Sequence, residues 1–384
     1  GYFINGRSFR TSKAADLVRF GADHFIIEAL FVKHGVEQSL KVISNGRQRK
    51  IICNHTESHS AAHLLGLLHG VCMVPDDIHL VKGGPSFRRD FLDLQIAQTD
   101  PLYVHHLMRY HRALEQRNSL LRAKELKTIE LWEIEMAHAG AYLIKQRAKT
   151  INALNGHTQS YYATVGAEDP LMSLHPKGSV SYDSASPKED YKKLFLQQRS
   201  RELCIGFTLS GPHKDDMQIA LGGKEARFFA SEGQQRSCIA AMRLAEWKRL
   251  EEVTEVKPLM LVDDLSTSLD INRRTRLMEH FSLLGQVFLT TTDEILTRNN
   301  INYYAGIYGM GEQYCGLISG RNQDYFIDPV RGYQIRLSND GMKPISELYK
   351  GQFFIQPLFP PYNKPYLRTN GSKAKILGAY NYAE

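Results

Sequence analysis

The sequence predicts an α/β protein that carries an inserted helical region and a β-rich C-terminal tail, and three observations support this fold class. In PLMLVDDLSTSLD, residues 258–270, four apolar residues typical of a buried strand lead directly into two acids. In residues 101–157, Leu107, Leu114 and Leu121 recur at seven-residue steps, Ile129 and Trp132 follow three residues apart, and no proline follows the first position, which predicts helix. After residue 296 the chain holds 11 of its 19 tyrosines and 6 of its 14 prolines, with turn residues between short β-like runs.

The overall composition narrows the class of protein. With 42% hydrophobic residues the chain is able to bury a core, and its net charge of +7 permits a polyanionic partner without requiring one. The five cysteines show no CxxC spacing, which argues against a structural zinc site or a disulfide framework and fits the reducing cytoplasm. No run of about 18 apolar residues occurs, so we expect no membrane span.

Changes in amino-acid composition and apolar pattern along the chain predict its domain organisation. Residues 1–100 mix short β-like runs with turns, and residues 205–295 return to an alternation of strands and helices. We therefore expect one α/β head built from both segments and interrupted by a helical lobe at 101–204. The Tyr-, Gly- and Pro-rich residues 296–384 form a separate β segment without an assignment.

The acids Asp263 and Asp264 occupy the end of the predicted buried strand. In open α/β sheets, ligands bind at the carboxyl ends of the strands. One carboxylate can hold Mg²⁺ directly or through water, and the second can orient and polarise an attacking water. The alternative is a strand that ends in a solvated acidic turn.

A helix start is predicted upstream, in the stretch SEGQQRSCIAAMRLAEW. Apolar residues follow Ser231, Gly233 and Gln234 at helical spacing, and Ser is a favourable N-cap residue. Unpaired N–H groups and the positive end of the helix dipole make such a start a natural site for an anion such as a γ-phosphate. The alternative is a helix that is merely capped.

Taken in order, these pieces resemble the ATP-binding head of the ABC type. SEGQ resembles the signature motif, LMLVDD the Walker B strand and STSLD the D-loop, while VFLTTTD at 287–293 falls at the switch strand, with Thr292 near the usual His position. Further segments are similar to the RecF family over roughly residues 2–295. They are PDDIHLVKGGPSFRRDFLD at 75–93, GRSFRTS at 6–12, LSGPHKDD at 209–216 and YHRALEQRN at 110–118.

The resemblance implies a function and a set of residue roles. It implies a cytoplasmic protein that forms an ATP-dependent homodimer, binds single- and double-stranded DNA at gaps and loads recombinase together with other recombination mediators. Asp263 would hold Mg²⁺ and Asp264 would polarise water. Residues of the opposite subunit and the switch strand would contact the nucleotide, namely Ser231, Gly233, Gln234, Asp270 and Thr292.

Two groups of basic residues are candidates for DNA binding. Arg88 and Arg89 are adjacent, and arginine suits phosphate contacts, but they are equally able to pair with Asp90 or Asp93 and fix their helix. A second group forms a band near the N-terminus, for which a solvated surface is the alternative. It includes Arg7, Arg10 and Lys13.

The phosphate-binding loop of the family is not found in the sequence. No G-x-x-x-x-G-K-[ST] pattern occurs in the 384 residues, and the fold expected is an ABC-type head that lacks its first strand and P-loop. Because this loop cradles the phosphates, we expect the chain as given to bind ATP and Mg²⁺ weakly or not at all, and its enzymatic activity stays open.

Two alternatives therefore stand beside a RecF-like ATPase. One is a module without a P-loop that binds DNA or a recombination partner independently of ATP. The other is a phage-related structural protein that acts through residues 296–384.

Overall fold

The computed structural model describes residues 1–9, 11, 13–33, 35–58, 64–166, 169–263 and 269–290, together with the backbone of four strands between 317 and 344. The chain forms two compact units. The first comprises Gly1–Asp263 and Ser268–Val287, and the second comprises Asp264–Thr267 and Phe288–Glu384. Elements of the first unit carry the sites described below.

An antiparallel sheet occupies the N-terminal part of the first unit, after a short helix α1 (Tyr2–Asn5). Its strands follow the order of the chain, and the pattern of alternately buried residues matches a sheet with one covered face. Leu40 and Val42 lie on the covered face with Ile51, in a small core that also includes Phe3. The strands are β1 (Phe25–Lys33), β2 (Val36–Ser44), β3 (Arg49–Cys53) and β4 (Thr56–Ser58).

A second sheet of three strands lies at the centre of the predicted head. Its order is β10-β9-β5, and β5 and β9 run parallel with Val71 opposite Met260. Met260 and Val262 are buried, as expected for an apolar strand between packed layers. The strands predicted near 258–263 and 286–291 are confirmed, whereas the strand predicted near 205–209 is wrong, because a helix (Pro187–Ile205) ends there and a turn follows it. The bounds are β5 (Gly70–Met73), β9 (Leu259–Asp263) and β10 (Val287–Thr290).

Five helices complete the head. Pro85 begins the head helix Pro85–Ala97, and Pro187 begins the helix Pro187–Ile205 of the lobe segment. Proline suits the first turn of a helix because it has no N–H to donate. The helix predicted at about 235–252 is confirmed as α8, whose buried face includes Cys238, Ala241 and Ala245. The head helices are α2 (Ile78–Lys82), α3 (Pro85–Ala97), α7 (Ala226–Phe229), α8 (Glu232–Thr254) and α9 (Ile271–Leu283).

The predicted helical lobe contains α4 (Pro101–Ala123), α5 (Ile129–Gly166) and α6 (Pro187–Ile205). A five-residue connection joins α4 and α5, so the two pack against one another as an antiparallel pair. Their shared core includes Tyr110 and Leu143. The C-terminal half of α5 continues beyond the lobe and packs against α8 of the head through Ile151 and Tyr162.

A third sheet connects the lobe region to the head. Strand β6 (Met172–Lys177) pairs antiparallel with β7 (Asp216–Leu221), which also pairs with β8 (Lys224–Glu225). The strand β6 falls within residues 101–204, which the sequence predicts to be helical lobe. Its partner β7 belongs to the head segment, so the pairing ties the end of the lobe segment back to the head.

The second unit contains four short strands, as the turn-rich sequence predicts. They form an antiparallel sheet in chain order, with Ile335 opposite Pro344 in the last hairpin. The strands are β11 (Leu317–Gly320), β12 (Gln323–Asp328), β13 (Tyr333–Ser338) and β14 (Gly341–Pro344). Within the described ranges of the chain, no helix is both long and apolar enough to cross a membrane.

Candidate nucleotide site

The predicted metal ligand Asp263 is the last residue of β9 and is partly exposed. It therefore lies at the carboxyl end of a parallel strand, where the sequence places it. Asp264 and Thr292 lie outside the described residues. In the part of the chain that the structure describes, no group of three His, Cys, Asp or Glu side chains is arranged to hold a metal ion. Mg²⁺ at nucleotide sites is bound by one or two carboxylates plus substrate phosphates, so a single described carboxylate is compatible with such a site, and the metal-binding role of Asp263 stays a prediction.

The predicted signature turn begins a helix, as expected. Ser231 is the N-cap residue of α8, and its Oγ accepts a hydrogen bond from the Gln234 N–H over 3.3 Å. The Gln234 side-chain Oε1 accepts in return from the Ser231 N–H over 2.9 Å, which completes a capping box. Ser231 is exposed and Gly233 is half-buried, so the turn faces solvent. The capped helix is therefore confirmed, and the binding of an anion at this turn stays a prediction.

Helix α9 begins in the same way at the predicted D-loop residue. The Asp270 side chain accepts a hydrogen bond from the Arg273 N–H over 3.0 Å and so caps this helix. The Arg273 guanidinium also lies 3.1 Å from the second Asp270 oxygen. A further Arg273 N–H donates to the Ser237 Oγ of α8 over 2.8 Å. The start of α9 is thus held against the first turns of α8.

Asp169 joins these two helix starts. Its Oδ1 accepts a hydrogen bond from the Gln234 side-chain amide over 2.9 Å, and its Oδ2 lies 2.9 Å from the Arg273 guanidinium. The Tyr162 hydroxyl of α5 also donates to Oδ2 over 3.1 Å. The structure therefore brings together three predicted residues, Ser231, Gln234 and Asp270. They are linked by Asp169 and Arg273, which the sequence did not indicate.

The Cys238 and Tyr162 side chains beside this network are buried. Burial raises the pKa of the Cys238 thiol to about 12, with a further contribution from the nearby Asp169 carboxylate. Burial also raises the pKa of Tyr162, so its hydroxyl keeps its proton and donates to Asp169. Both residues thus remain neutral at physiological pH.

Arg88, predicted to contact DNA, lies inside the fold. Its side chain is only 5% exposed, and its Nε lies 2.6 Å from Asp216. It also donates to the backbone oxygens of Leu80 and Gly83 over 3.0 Å each, and so holds the turn before α3. This geometry matches the alternative prediction, in which Arg88 forms an ion pair that fixes its helix. The acidic partner is Asp216, and not Asp90 or Asp93 as the sequence suggested. Since a buried guanidinium with these partners does not face DNA, we leave Arg88 out of the DNA-binding proposal.

The other basic candidates are more accessible. Arg89 is half-buried and donates to the Asp215 backbone oxygen over 2.8 Å. Arg7 is exposed and lies 3.4 Å from Asp90, and Lys13 is exposed. Arg10 lies outside the described residues. A DNA contact by this band stays a prediction, as does the alternative of a solvated surface.

The loop of the LSGPHKDD segment packs against helix α4. The His213 ring lies 2.7 Å from the Tyr110 hydroxyl and 3.3 Å from the Thr208 backbone oxygen. Burial lowers the pKa of His213 to about 4, while burial raises the pKa of Asp215 to about 6. His213 is thus neutral at pH 7 and has a structural role at the junction of lobe and head.

The chain is similar to named proteins over about three quarters of its length. It is 52% identical over 293 residues to the DNA replication and repair protein RecF of Protochlamydia amoebophila, a match that covers 75% of this chain and 81% of that relative. It is 34% identical over 292 residues to RecF of Chlamydia caviae, covering 75% and 79%. No family model matches the chain.

A solved structure described as the recombination mediator protein RecF-ATP in the RecFOR pathway shares the fold. The TM-score is 0.70 at 27% identity, with 77% of this chain and 82% of that chain covered. The match confirms the predicted α/β head of the ABC type with an inserted helical lobe. On the strength of its identity to curated relatives over most of their length, the chain belongs to the RecF family.

Proposed function

We propose that this chain acts in DNA replication and recombinational repair as an ATP-dependent homodimer. The dimer binds single- and double-stranded DNA at gaps and promotes recombinase loading with other recombination mediators, in the cytoplasm. One observation carries the proposal: an exposed, capped signature turn is fixed to the helix of the D-loop residue, in a chain 52% identical to RecF of Protochlamydia amoebophila. A relative whose structure is described as RecF-ATP supports ATP as the nucleotide.

The nucleotide chemistry is divided between two copies of the chain. In one copy, Asp263 holds Mg²⁺, which neutralises phosphate charge, and Asp264 polarises the attacking water. The other copy presents its signature turn and Asp270 to the γ-phosphate, where backbone N–H groups at a helix start favour an anion. The residues in contact with the nucleotide are Ser231, Gly233, Gln234, Asp270 and Thr292.

The DNA contacts come from the exposed basic residues. Arg7 and Lys13 are the described candidates of the N-terminal band, together with Arg10, and Arg89 is a further candidate beside α3. Contacts of this type act on the phosphate backbone, so they provide affinity rather than sequence preference.

Sedimentation with and without ATP and Mg²⁺, followed by ATP turnover on gapped DNA, tests the proposal. In a form of the protein that carries a phosphate-binding loop, we expect ATP to shift the equilibrium toward a dimer and Asp264→Asn to prolong the dimer while abolishing turnover, because the polarising carboxylate is lost. Ser200→Ala, a substitution in lobe helix α6, serves as the matched control and leaves both unchanged. Normal hydrolysis by Asp264→Asn would show that this residue does not have the assigned role.

A second candidate is an ATP-independent module that binds DNA or a recombination partner. Its DNA contacts would come from the same exposed basic side chains, Arg7 and Lys13. This candidate predicts DNA retention that falls steeply with salt and does not respond to ATP. A DNA-binding titration at several salt concentrations, carried out with and without nucleotide, separates the two functions.

A further inference from the structure

Asp169 has no role in the proposed nucleotide chemistry, yet its carboxylate contacts three separate helices. It accepts from Gln234 at the start of α8 and pairs with Arg273 at the start of α9. It also accepts from Tyr162 near the C-terminal end of α5. Among the hydrogen bonds of the described residues, no other side chain joins these three elements.

The side chains that form these contacts are mostly buried. The side chains of Asp169 and Arg273 are 13% and 18% exposed, so their ion pair is screened much less than a surface pair. The Cys238 thiol and the Tyr162 ring border the same region and are buried. Removal of the carboxylate would leave Arg273 with Asp270 as its acidic partner and Gln234 without its acceptor.

The Gln234 amide links this carboxylate to the signature turn. Its Nε2 donates to Asp169, while its Oε1 accepts from the Ser231 N–H in the capping box. The orientation of one amide group thus depends on both partners. On the other side, Arg273 connects Asp169 to the cap residue Asp270.

We propose that Asp169 is a positioning residue that sets the spacing between the signature turn and the start of α9, and that anchors both to the end of α5. This inference rests on the proposed function, because a clamp on a γ-phosphate requires Ser231 and Asp270 at a fixed separation. Asp169 itself does not touch the nucleotide. It acts through Gln234 and Arg273.

Hydrogen exchange of the nucleotide-free chain tests the positioning role directly. We expect Asp169→Ala to accelerate exchange of the Gln234 and Arg273 backbone N–H groups by about tenfold, since the loss of both side-chain contacts loosens the capping bonds that these N–H groups make to Ser231 and Asp270. Asp169→Asn keeps an acceptor for Gln234 but loses the ion pair, so it accelerates exchange mainly at Arg273. The matched control is Glu252→Ala, which removes another polar contact between α8 and α5, the one with His157, far from the signature turn.

A reciprocal variant makes the test sharper. Arg273→Ala removes the partner of Asp169 on α9 and also the bond to the Ser237 Oγ of α8, so Ser237→Ala is measured beside it to subtract that second contribution, and we expect exchange at Gln234 to rise more in Arg273→Ala. The double variant Asp169→Ala with Arg273→Ala then exchanges at Gln234 no faster than Asp169→Ala alone. Equal exchange at Gln234 in wild type and Asp169→Ala, or additive effects in the double variant, would overturn the proposal.

Kinetics separate a positioning role from general destabilisation. In turnover of ATP, Asp169→Asn lowers kcat by about tenfold with KM within twofold, because the displaced turn acts on the transition state more than on bound substrate. A uniform loss of active protein would leave KM unchanged too, so active-site titration accompanies the assay. Exchange needs no nucleotide, so a chain that fails to bind ATP still tests Asp169, while a positive exchange result with no ATP binding removes only the proposed function.

Discussion

Two of the polar junctions between helix α5 and the head are built differently. At the first, Arg147 is 2% exposed, forms a bidentate pair with Asp93 and donates to the Pro212 backbone oxygen. Asp93 is itself 18% exposed, and at the second junction the Asp169 and Arg273 side chains are 13% and 18% exposed, so the first junction is sealed only on the side of Arg147. Removing one partner of a buried pair leaves an unpaired charge, and we expect this cost to be largest at the pair whose guanidinium is fully enclosed. The first junction holds the fold, and the second lies where nucleotide chemistry is proposed.

The largest effect is expected from breaking the first junction. Arg147→Ala leaves Asp93 without its guanidinium partner and should lower the free energy of unfolding by about 3–5 kcal/mol. Urea denaturation measures this. The matched control is Arg109→Ala, whose pair with Glu135 is 40% and 27% exposed and is worth roughly 0–1 kcal/mol. Equal losses in the two variants would mean that burial does not distinguish the pairs.

A second large effect is expected at Arg88, which differs from the exposed basic residues in the same manner. Arg88→Ala removes the partner of Asp216 and two bonds to the turn before α3. It should lower the free energy of unfolding by about 2–4 kcal/mol and leave the salt dependence of DNA binding by the folded fraction unchanged. A reduced salt slope without loss of stability would return Arg88 to the DNA-contacting residues.

The pH dependence of stability tests the first junction, because His213 and Asp215 lie in the loop whose Pro212 oxygen accepts from Arg147. The lowered pKa of His213, about 4, makes stability fall as the pH drops from about 6.5 to 4. The raised pKa of Asp215, about 6, has the opposite sign, because the folded state binds its proton more tightly than the unfolded state does. We therefore expect Asp215→Asn to lose stability more steeply between pH 6 and 4 than wild type, by on the order of 1 kcal/mol per pH unit. Parallel pH profiles in thermal denaturation would contradict this.

A smaller effect is expected at the second junction. Ser231→Ala removes the capping hydroxyl of α8 and should lower the free energy of unfolding by about 1 kcal/mol. Ser186→Ala is the matched control, since Ser186 also stands at an N-cap position but makes no capping side-chain bond. Chemical denaturation of both variants should show the difference, and an equal change would rule out the capping contribution.

The smallest effect on stability, within about 0.5 kcal/mol, is expected from Lys13→Ala. This side chain is exposed, and if it contacts a phosphate, its loss lowers the slope of log affinity against log salt by about 1. Fluorescence anisotropy with gapped DNA at several salt concentrations measures the slope. An unchanged slope would favour the solvated surface over the DNA contact.

Sequence patterns over a few residues predicted caps, helices and strands. They did not predict contacts between residues that are far apart in the chain. The Ser231 cap, helix α8 and the end of β9 at Asp263 follow from spacing over a few residues, and all are present. The partner of Arg88 is Asp216, 128 positions away, and the sequence suggested only the nearby acids. Nothing in the polar segment around Asp169 indicates that it faces Arg273, because that proximity arises only when α5, α8 and α9 pack together.

The order of motifs carried more information than any single motif. Four ABC-like pieces in sequence indicated the head, and identity to curated relatives confirmed the family. The strand β6 was missed within the predicted lobe because its pairing partner β7 lies beyond helix α6. Short strands of this kind depend on their neighbours for stability, so their own composition is a weak guide.

The length of α5 has a mechanical consequence. Its 38 residues form one uninterrupted helix about 57 Å long, which begins at the far tip of the lobe and ends beside Tyr162. A tilt of about 5° along such a rod moves one end by roughly 5 Å relative to the other. A molecule that docks at the tip and tilts the rod would therefore pull on Asp169 without approaching the nucleotide.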